Sequence, residues 1–285
     1  MAPRTVVPSV LSVVSVLSAQ TPTPSPPPVK LSGYMQARET WQQDVGLTGS
    51  INRARLAASG TVAPSVTYRV QGEFRTGSVG TGRASVSLQD AYIRFTRERW
   101  AIQAGQFKTP FTREFITSLA DLETADRSTA VDSLAPKRDI GLMGEYTIVK
   151  AVTAYAGVFN GDGQNVTAFA DSTRYGADAN YEEERVVVRG EYVAQSRDAA
   201  GGDDDRGWFV LGAFTPVPDV QLVAKYETFE RPGLSDQQKS RAGTAGANLF
   251  PLGRATRLTV EYRSRKIGDP GIRKAQLLTQ AQVKF

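Results

Sequence analysis

Along SVTYRVQGEFR, Val66, Tyr68, Val70 and Phe74 alternate with Thr67, Arg69, Gln71, Glu73 and Arg75, which is a strand with one apolar and one charged face. The same period of two returns in RLTVEYRSR, where Leu258, Val260 and Tyr262 oppose Arg257, Thr259, Glu261 and Arg263. VQLVAKYE sets Val220, Leu222, Ala224 and Tyr226 on one face, and RVVVRGEY sets Val186, Val188 and Tyr192. About fourteen such segments can be marked, sixteen being possible if a pair is hidden, each near the ~9–11 residues that let a strand cross a bilayer. Their centres fall near Met35, Arg55, Val70, Tyr92, Gln103, Leu142, Tyr155, Ala177, Arg189, Leu211, Val223, Ala245, Val260 and Thr279.

The connections divide into two kinds. After even strands they are tight, as in GTVAP, RER, IVK, EEE, PVP and FPLG. After odd strands they lengthen and fill with Gly, Asp and Ser, as in TGSVGTGRAS, FNGDGQNVTAFADS, SRDAAGGDDDRG and RPGLSDQQKS. An even number of strands with short turns at one end and long loops at the other predicts an all-β fold, a transmembrane antiparallel barrel with short periplasmic turns and long extracellular loops. A soluble sandwich would place turn signals at both ends alike. The last segment, AQLLTQAQVKF, alternates to a terminal Phe285, which reads as the assembly signal by which the barrel assembly machinery takes up such a chain.

Composition narrows the function. With no His and no Cys, the chain lacks imidazole bases, thiol nucleophiles and the usual zinc ligands. An enzyme is disfavoured, and no cofactor or metal is expected. FNGDGQN has a faint likeness to a calcium loop but lacks the closing bidentate Glu. Net charge is 34 − 29 = +5, which suits small anions as partners; nucleic acid is not expected. Mean hydropathy is −0.30, and no mature segment approaches the ~20 apolar residues of a membrane helix. At the amino end, Arg4 precedes an apolar run from Val6 to Leu17, so residues 1–19 read as a signal peptide that directs export to the bacterial outer membrane. Residues 20–28 include TPTPSPPP and read as an extended Pro-rich linker; residues 29–285 form the barrel.

One connection stands apart. GQFKTPFTRE starts as a strand, but Pro110 removes a ladder donor and residues 108–137 never regain a period of two. With the amino terminus periplasmic this is the third extracellular loop. Folded inward, it would constrict a water-filled barrel. Phe107 and Phe111, beside Pro110, would anchor it to the wall, and Lys108, Arg113 and Arg127 would face the pore.

The stretch AGQFKTPFTREFITSLADLETADRS resembles the phosphate-selective porin O and P family, on Gly105, Gln106, Phe107, Lys108, Pro110, Phe111, Glu114, Asp126, Arg127 and Ser128. The resemblance implies an outer-membrane porin, a phosphate preference and a homotrimer, although the family's members are larger, sixteen-stranded barrels. Alternation agrees in sign. It turns Arg53, Arg55, Arg69, Arg75, Arg94, Arg189, Lys225, Arg257 and Arg263 inward against Glu73, Asp90, Glu191, Glu227 and Glu261, because Arg or Lys on lipid at midplane costs about 2–4 kcal/mol. Rings of such cations select anions, and guanidinium forks match phosphate oxygens. The rival readings are a general or sugar diffusion porin, whose aromatic lumen track is not found, and a structural or adhesion barrel.

Overall fold

Along most of the strands, apolar side chains lie on the outside of this protein and polar ones on the inside. Leu31, Met35, Val70, Ile93, Leu142 and Val260 are exposed, whereas Gln36 and Asn248 are 0% exposed, Thr259 1% and Glu227 2%. That inversion suits a wall with lipid on one side and a polar interior on the other. The computed structural model describes residues 28–76, 84–149, 152–161, 163–166, 173–196, 204–231, 239–268 and 271–285. The expected signal peptide and nearly all of the Pro-rich linker lie outside the described residues.

The strands are β1 (Lys30–Gln42), β2 (Gly46–Ala63), β3 (Val66–Arg75), β4 (Ser85–Arg97), β5 (Trp100–Lys108), β6 (Arg138–Val149) and β7 (Val152–Phe159). They continue as β8 (Thr173–Glu183), β9 (Val186–Ser196), β10 (Asp205–Val217), β11 (Val220–Glu230), β12 (Ser240–Leu249), the short β13 (Pro251–Arg254), β14 (Thr256–Gly268) and β15 (Gly271–Lys284). Two short helices, α1 (Arg113–Ile116) and α2 (Thr129–Leu134), lie between β5 and β6. Apart from β13, which sits in a turn, the strands form one 14-stranded sheet, and each contains one of the fourteen expected centres.

Every pairing is antiparallel, and the order runs from β7 back to β1, across to β15, then through β14, β12, β11, β10 and β9 to β8. First and last strands meet, with Tyr34 opposite Lys284 and Gln42 opposite Gln276. Phe285 completes this junction by exchanging backbone hydrogen bonds with Gly33 at 2.9 and 3.1 Å. Among the described residues the ladder ends at β7 and β8.

The turn asymmetry is less regular than the sequence suggests. The first connection at the long-loop end spans only from Gln42 to Gly46, closed by Asp44 and Gly46 in left-handed conformations (φ 69° and 91°). The last spans only from Gly268 to Gly271. The long connections are therefore confined to the middle of the chain: β1 joins β2 and β14 joins β15 by tight turns, and β14 follows β12 through the short β13 turn. All three tryptophans lie on the outer face, Trp41 and Trp208 at the long-loop end and Trp100 at the short-turn end, as interfacial aromatics do. No described helix is long and apolar enough to cross a membrane; the strands do so.

Candidate functional site

The third loop lies on the inner side of the sheet, against strands from β1 to β15. Thr109 closes its base, donating from N and Oγ1 to the Lys137 carbonyl at 3.2 and 3.1 Å, and the exposed Pro110 follows the last β5–β6 pair, Lys108 opposite Arg138. Gly105 makes the approach to this base possible. At φ +121° its backbone passes so close to β4 that an added Cβ would stand 2.2 Å from the Ala91 carbonyl oxygen. Phe107 then packs edge-on to Tyr92 and Phe159, with ring centroids 6.1 and 5.5 Å away. Phe111 packs elsewhere, against an apolar cluster on the far wall.

That cluster is the seat of the loop. Phe115, Val131 and Leu134 meet Val193, Phe209, Leu211 and Val223, which are inward-facing side chains of β9, β10 and β11. Short helices hold these residues in place. Thr112 caps α1 and Ser128 caps α2, each side chain accepting from a backbone N–H three residues on. Ser128 also donates from N and Oγ to Glu114 at 2.9 and 2.7 Å, tying the two helices together. Burial raises the Glu114 carboxyl, opposed by Lys225 and by the Ser128 bonds.

Polar contacts reach the wall in several directions. Arg38 of β1 grips Asp126 at 2.7 and 3.0 Å, and Arg189 of β9 bonds Glu123 at 2.8 Å. Glu191 accepts from the Glu114 N–H, and Glu261 from the Ala125 N–H at 2.7 Å. Asn248, Arg257 and Gln282 donate to the carbonyls of Glu123, Leu122 and Ala120. Lys225 donates to Thr124 Oγ1 and the Asp126 carbonyl, both at 3.1 Å, and lies 3.8 and 3.7 Å from Glu114 and Glu227. Arg263 bonds Glu227 and donates to Thr129 at 3.0 Å. Crowding by protein atoms would raise the Asp126 carboxyl, but Arg38 and Arg53 outweigh it and hold it at about 2.

The three loop cations differ in their surroundings. Lys108 Nζ donates to the carbonyls of Phe115, Ile116 and Thr117 at 3.0, 3.1 and 3.0 Å, neutralising the open end of α1. Arg127 joins it, donating to the carbonyls of Glu114, Phe115 and Thr117 with its guanidinium 5.0 Å from the Phe115 ring centroid. Burial lowers the Arg127 pKa to about 10, partly offset by Glu114. The expectation that both stand free in the water column gives way to a clamp on backbone carbonyls. Arg113 faces a cavity of about 490 Å³ at the short-turn end, shared with Arg185, Arg254 and Arg257.

The opposite wall, β1 to β6, is charged. Glu73 lies 2.5 Å from Arg55, 3.9 Å from Arg53 and 3.8 Å from Arg75. Asp90 lies 2.7 Å from Arg138 and 3.3 Å from Arg69, and Asp126 receives Arg38 and Arg53. Arg94 pairs with Glu145 at 2.8 Å. The excess of nine cations over five carboxylates is thus reduced by acids left out of that count: Glu114, Glu123 and Asp126 from the loop, and Glu145 from β6. Arg38 and Arg138 were left out on the other side. Arg38 was legible, since Tyr34, Gln36 and Arg38 alternate with Met35, Ala37 and Glu39.

A polar interior, an apolar exterior, tight turns at one end and a long connection laid on the inner side of the strands define a β-barrel channel of the outer-membrane type. The family profile of the phosphate-selective porin O and P matches residues 33–248. The chain belongs to that family, and it is an outer-membrane porin. Solved structures share the fold. The outer membrane channel DcaP of Acinetobacter baumannii is 14% identical, with 92% of this chain and 99% of that chain covered and a TM-score of 0.67. OmpT of Vibrio cholerae, in its trimer form, is 10% identical over 91% and 100%, with a TM-score of 0.60. A mutant of the Rh. blastica porin is 14% identical over 90% and 100%, with a TM-score of 0.54. No curated protein matches the chain.

Proposed function

We propose that this porin is a passive, anion-leaning diffusion channel, with the third loop as its constriction and phosphate among the ions it admits. The observation that carries the reading is the sharing of carboxylates by the guanidiniums of the β1–β6 wall, two of the carboxylates being on the wall and one on the loop. Six guanidiniums, those of Arg38, Arg53, Arg55, Arg69, Arg75 and Arg138, are served by three carboxylates, Glu73, Asp90 and Asp126. Arg69 and Arg75 keep 30% and 47% of their side-chain surface open, so an anion passing between this wall and the loop meets guanidiniums whose carboxylates are shared with other cations. Guanidinium forks suit phosphate oxygens in particular.

The loop's apolar seat on β9 to β11 leaves the β1–β6 side as the route. Transport here involves no chemical step and no cofactor. The likeness to a trimeric OmpT supports a homotrimer for this chain, and terminal Phe285, docked on Gly33, supports insertion through the last strand. The test of phosphate preference is block. Adding phosphate to one side of a planar bilayer in chloride should lower the chloride current, and Arg69→Gln with Arg75→Gln should relieve the block; a current indifferent to phosphate contradicts the preference.

A further inference from the structure

Two strands of the β1–β6 wall carry one residue more than a strand they pair with, and both extra residues are amides. Gln36 stands opposite Arg53 and Ala37 opposite Ile51, which leaves Asn52 of β2 without a partner on β1. Gln71 stands opposite Asp90 and Gly72 opposite Leu88, which leaves Gln89 of β4 without a partner on β3. Such a bulge re-aims side chains, and here it turns two consecutive residues of each strand toward the interior. Ile51 and Leu88 are exposed on the outer face, whereas Asn52 and Arg53 are half-buried and Gln89 and Asp90 are buried.

Each extra amide meets guanidiniums. With its side-chain oxygen turned to the donors around it, Asn52 accepts from Arg38 at 2.9 Å and from Arg53 at 2.7 Å. Gln89 Oε1 accepts from Arg55 at 3.3 Å. The same chemistry recurs along the interior, where Gln280 accepts from Arg38 at 2.8 and 3.0 Å, Asn180 from Arg189 at 2.7 Å and Gln282 from Arg257 at 3.2 Å. A buried guanidinium needs acceptors for its N–H groups. A carboxylate meets that need and cancels the charge; an amide oxygen meets it and leaves the charge in place. Asn and Asp share one shape and size, as do Gln and Glu, so space does not decide between them. At Asn52 the difference matters. Arg38 and Arg53 share Asp126, and Glu73, 3.9 Å from Arg53, lies closer to Arg55 at 2.5 Å. Three guanidiniums thus stand against two carboxylates, and a carboxylate at position 52 would complete the neutralisation.

We propose that Asn52 and Gln89 are specificity-determining residues that act as charge-sparing acceptors: they hold Arg38, Arg53 and Arg55 in place and preserve the positive excess of the wall. Their role rests on the anion-leaning reading of the pore and names two side chains that set it. Neither carries a charge, so a count of charges along the strands does not find them, and only the bulges bring them inside.

The test is the reversal potential of the assembled channel in a potassium chloride gradient, compared between the wild type and isosteric variants. Asn52→Asp should lower the chloride-over-potassium permeability ratio by about twofold or more, and Gln89→Glu added to it should lower the ratio further. Asn52→Asp/Glu73→Gln moves a carboxylate across Arg53 instead of adding one, and should return the ratio close to the wild-type value. A purely structural role for Asn52 predicts the wild-type ratio in Asn52→Asp, because a carboxylate accepts the same hydrogen bonds. Heat-modifiable mobility certifies assembly, and Gln89→Glu alone, with the same expected direction, serves if Asn52→Asp does not assemble. An unchanged ratio in the assembled variant, or a displacement of Asn52→Asp that Glu73→Gln does not reverse, would overturn the proposal. The anion-leaning reading fails separately, if the wild type itself prefers potassium.

Discussion

Glu73, Asp90 and Asp126 each hold more than one guanidinium, and for Asp126 of the loop the two guanidiniums of Arg38 and Arg53 set its answer to acid. Asp126 is held at about 2 in the folded protein, below its ordinary 3.8. A depressed carboxyl contributes stability that is complete above the unfolded value and is lost as pH falls through the folded one. Glu114 and Glu123 shift the other way, raised by burial against Lys225 and Arg189 respectively. Their protonated forms are favoured in the fold, so their titration stabilises the loop as pH falls. The hold that Asp126 has on β1 and β2 should therefore be lost as pH falls from about 4 to about 2. Single-channel conductance should rise across that window, and a conductance that stays level through it would contradict the assignment. Lys108 shows what the sequence hides at this scale. A Lys at a strand end carries no sign that its amine will meet the carbonyls of residues 115–117, since that contact depends on where the loop turns back.

At the scale of elements, the strands were legible because a wall between lipid and a polar interior enforces alternation, and all fourteen expected centres fall within strands of the sheet. The helices were not. With four and six residues, α1 and α2 are too short to print a period of 3.6 on the sequence. A signal of their seat did exist in β10, where WFVLGAF is apolar on both faces instead of one. Such a run marks a strand covered on both sides, and the loop is what covers it. Val131 and Leu134 are 0% exposed against this strand and its neighbours, so burying charge there costs several kcal/mol. Val131→Asp with Leu134→Asp should unseat the loop, raising conductance while the far-ultraviolet signal of the strands is kept; unchanged conductance in a folded variant would separate the loop from the constriction. The edges of β7 and β8 invite a second prediction. Two unpaired strand edges in hydrocarbon leave polar groups costing several kcal/mol each, so the two strands should close the ring in the bilayer. Hydrogen exchange in lipid nanodiscs should find the amides of 152–159 and 173–183 as protected as those of β2 and β3, and fast exchange along both strands would contradict closure.

For the molecule as a whole, counting charges by strand alternation described the wall and missed what the loop brings to it. Glu114, Glu123 and Asp126 sit in an aperiodic segment, so alternation could not assign them to the interior, and they offset part of the cationic excess. The remaining excess is one-sided, concentrated on β1 to β6 where six guanidiniums share three carboxylates, while β9 to β11 are occupied by the apolar seat. A wide wet path screens charges within ~10 Å at 0.1 M salt, so selectivity should be moderate and should weaken as salt rises. The measurement that reaches this claim most directly is the reversal potential of single channels in a potassium chloride gradient, for the wild type and for Arg69→Glu/Arg75→Glu, whose altered side chains are partly open to solvent. The wild type should reverse at the sign of a chloride-preferring channel, and the double variant should move toward or past zero with its conductance largely kept. A wild-type channel that prefers potassium, or a double variant with the wild-type reversal potential, would contradict the account.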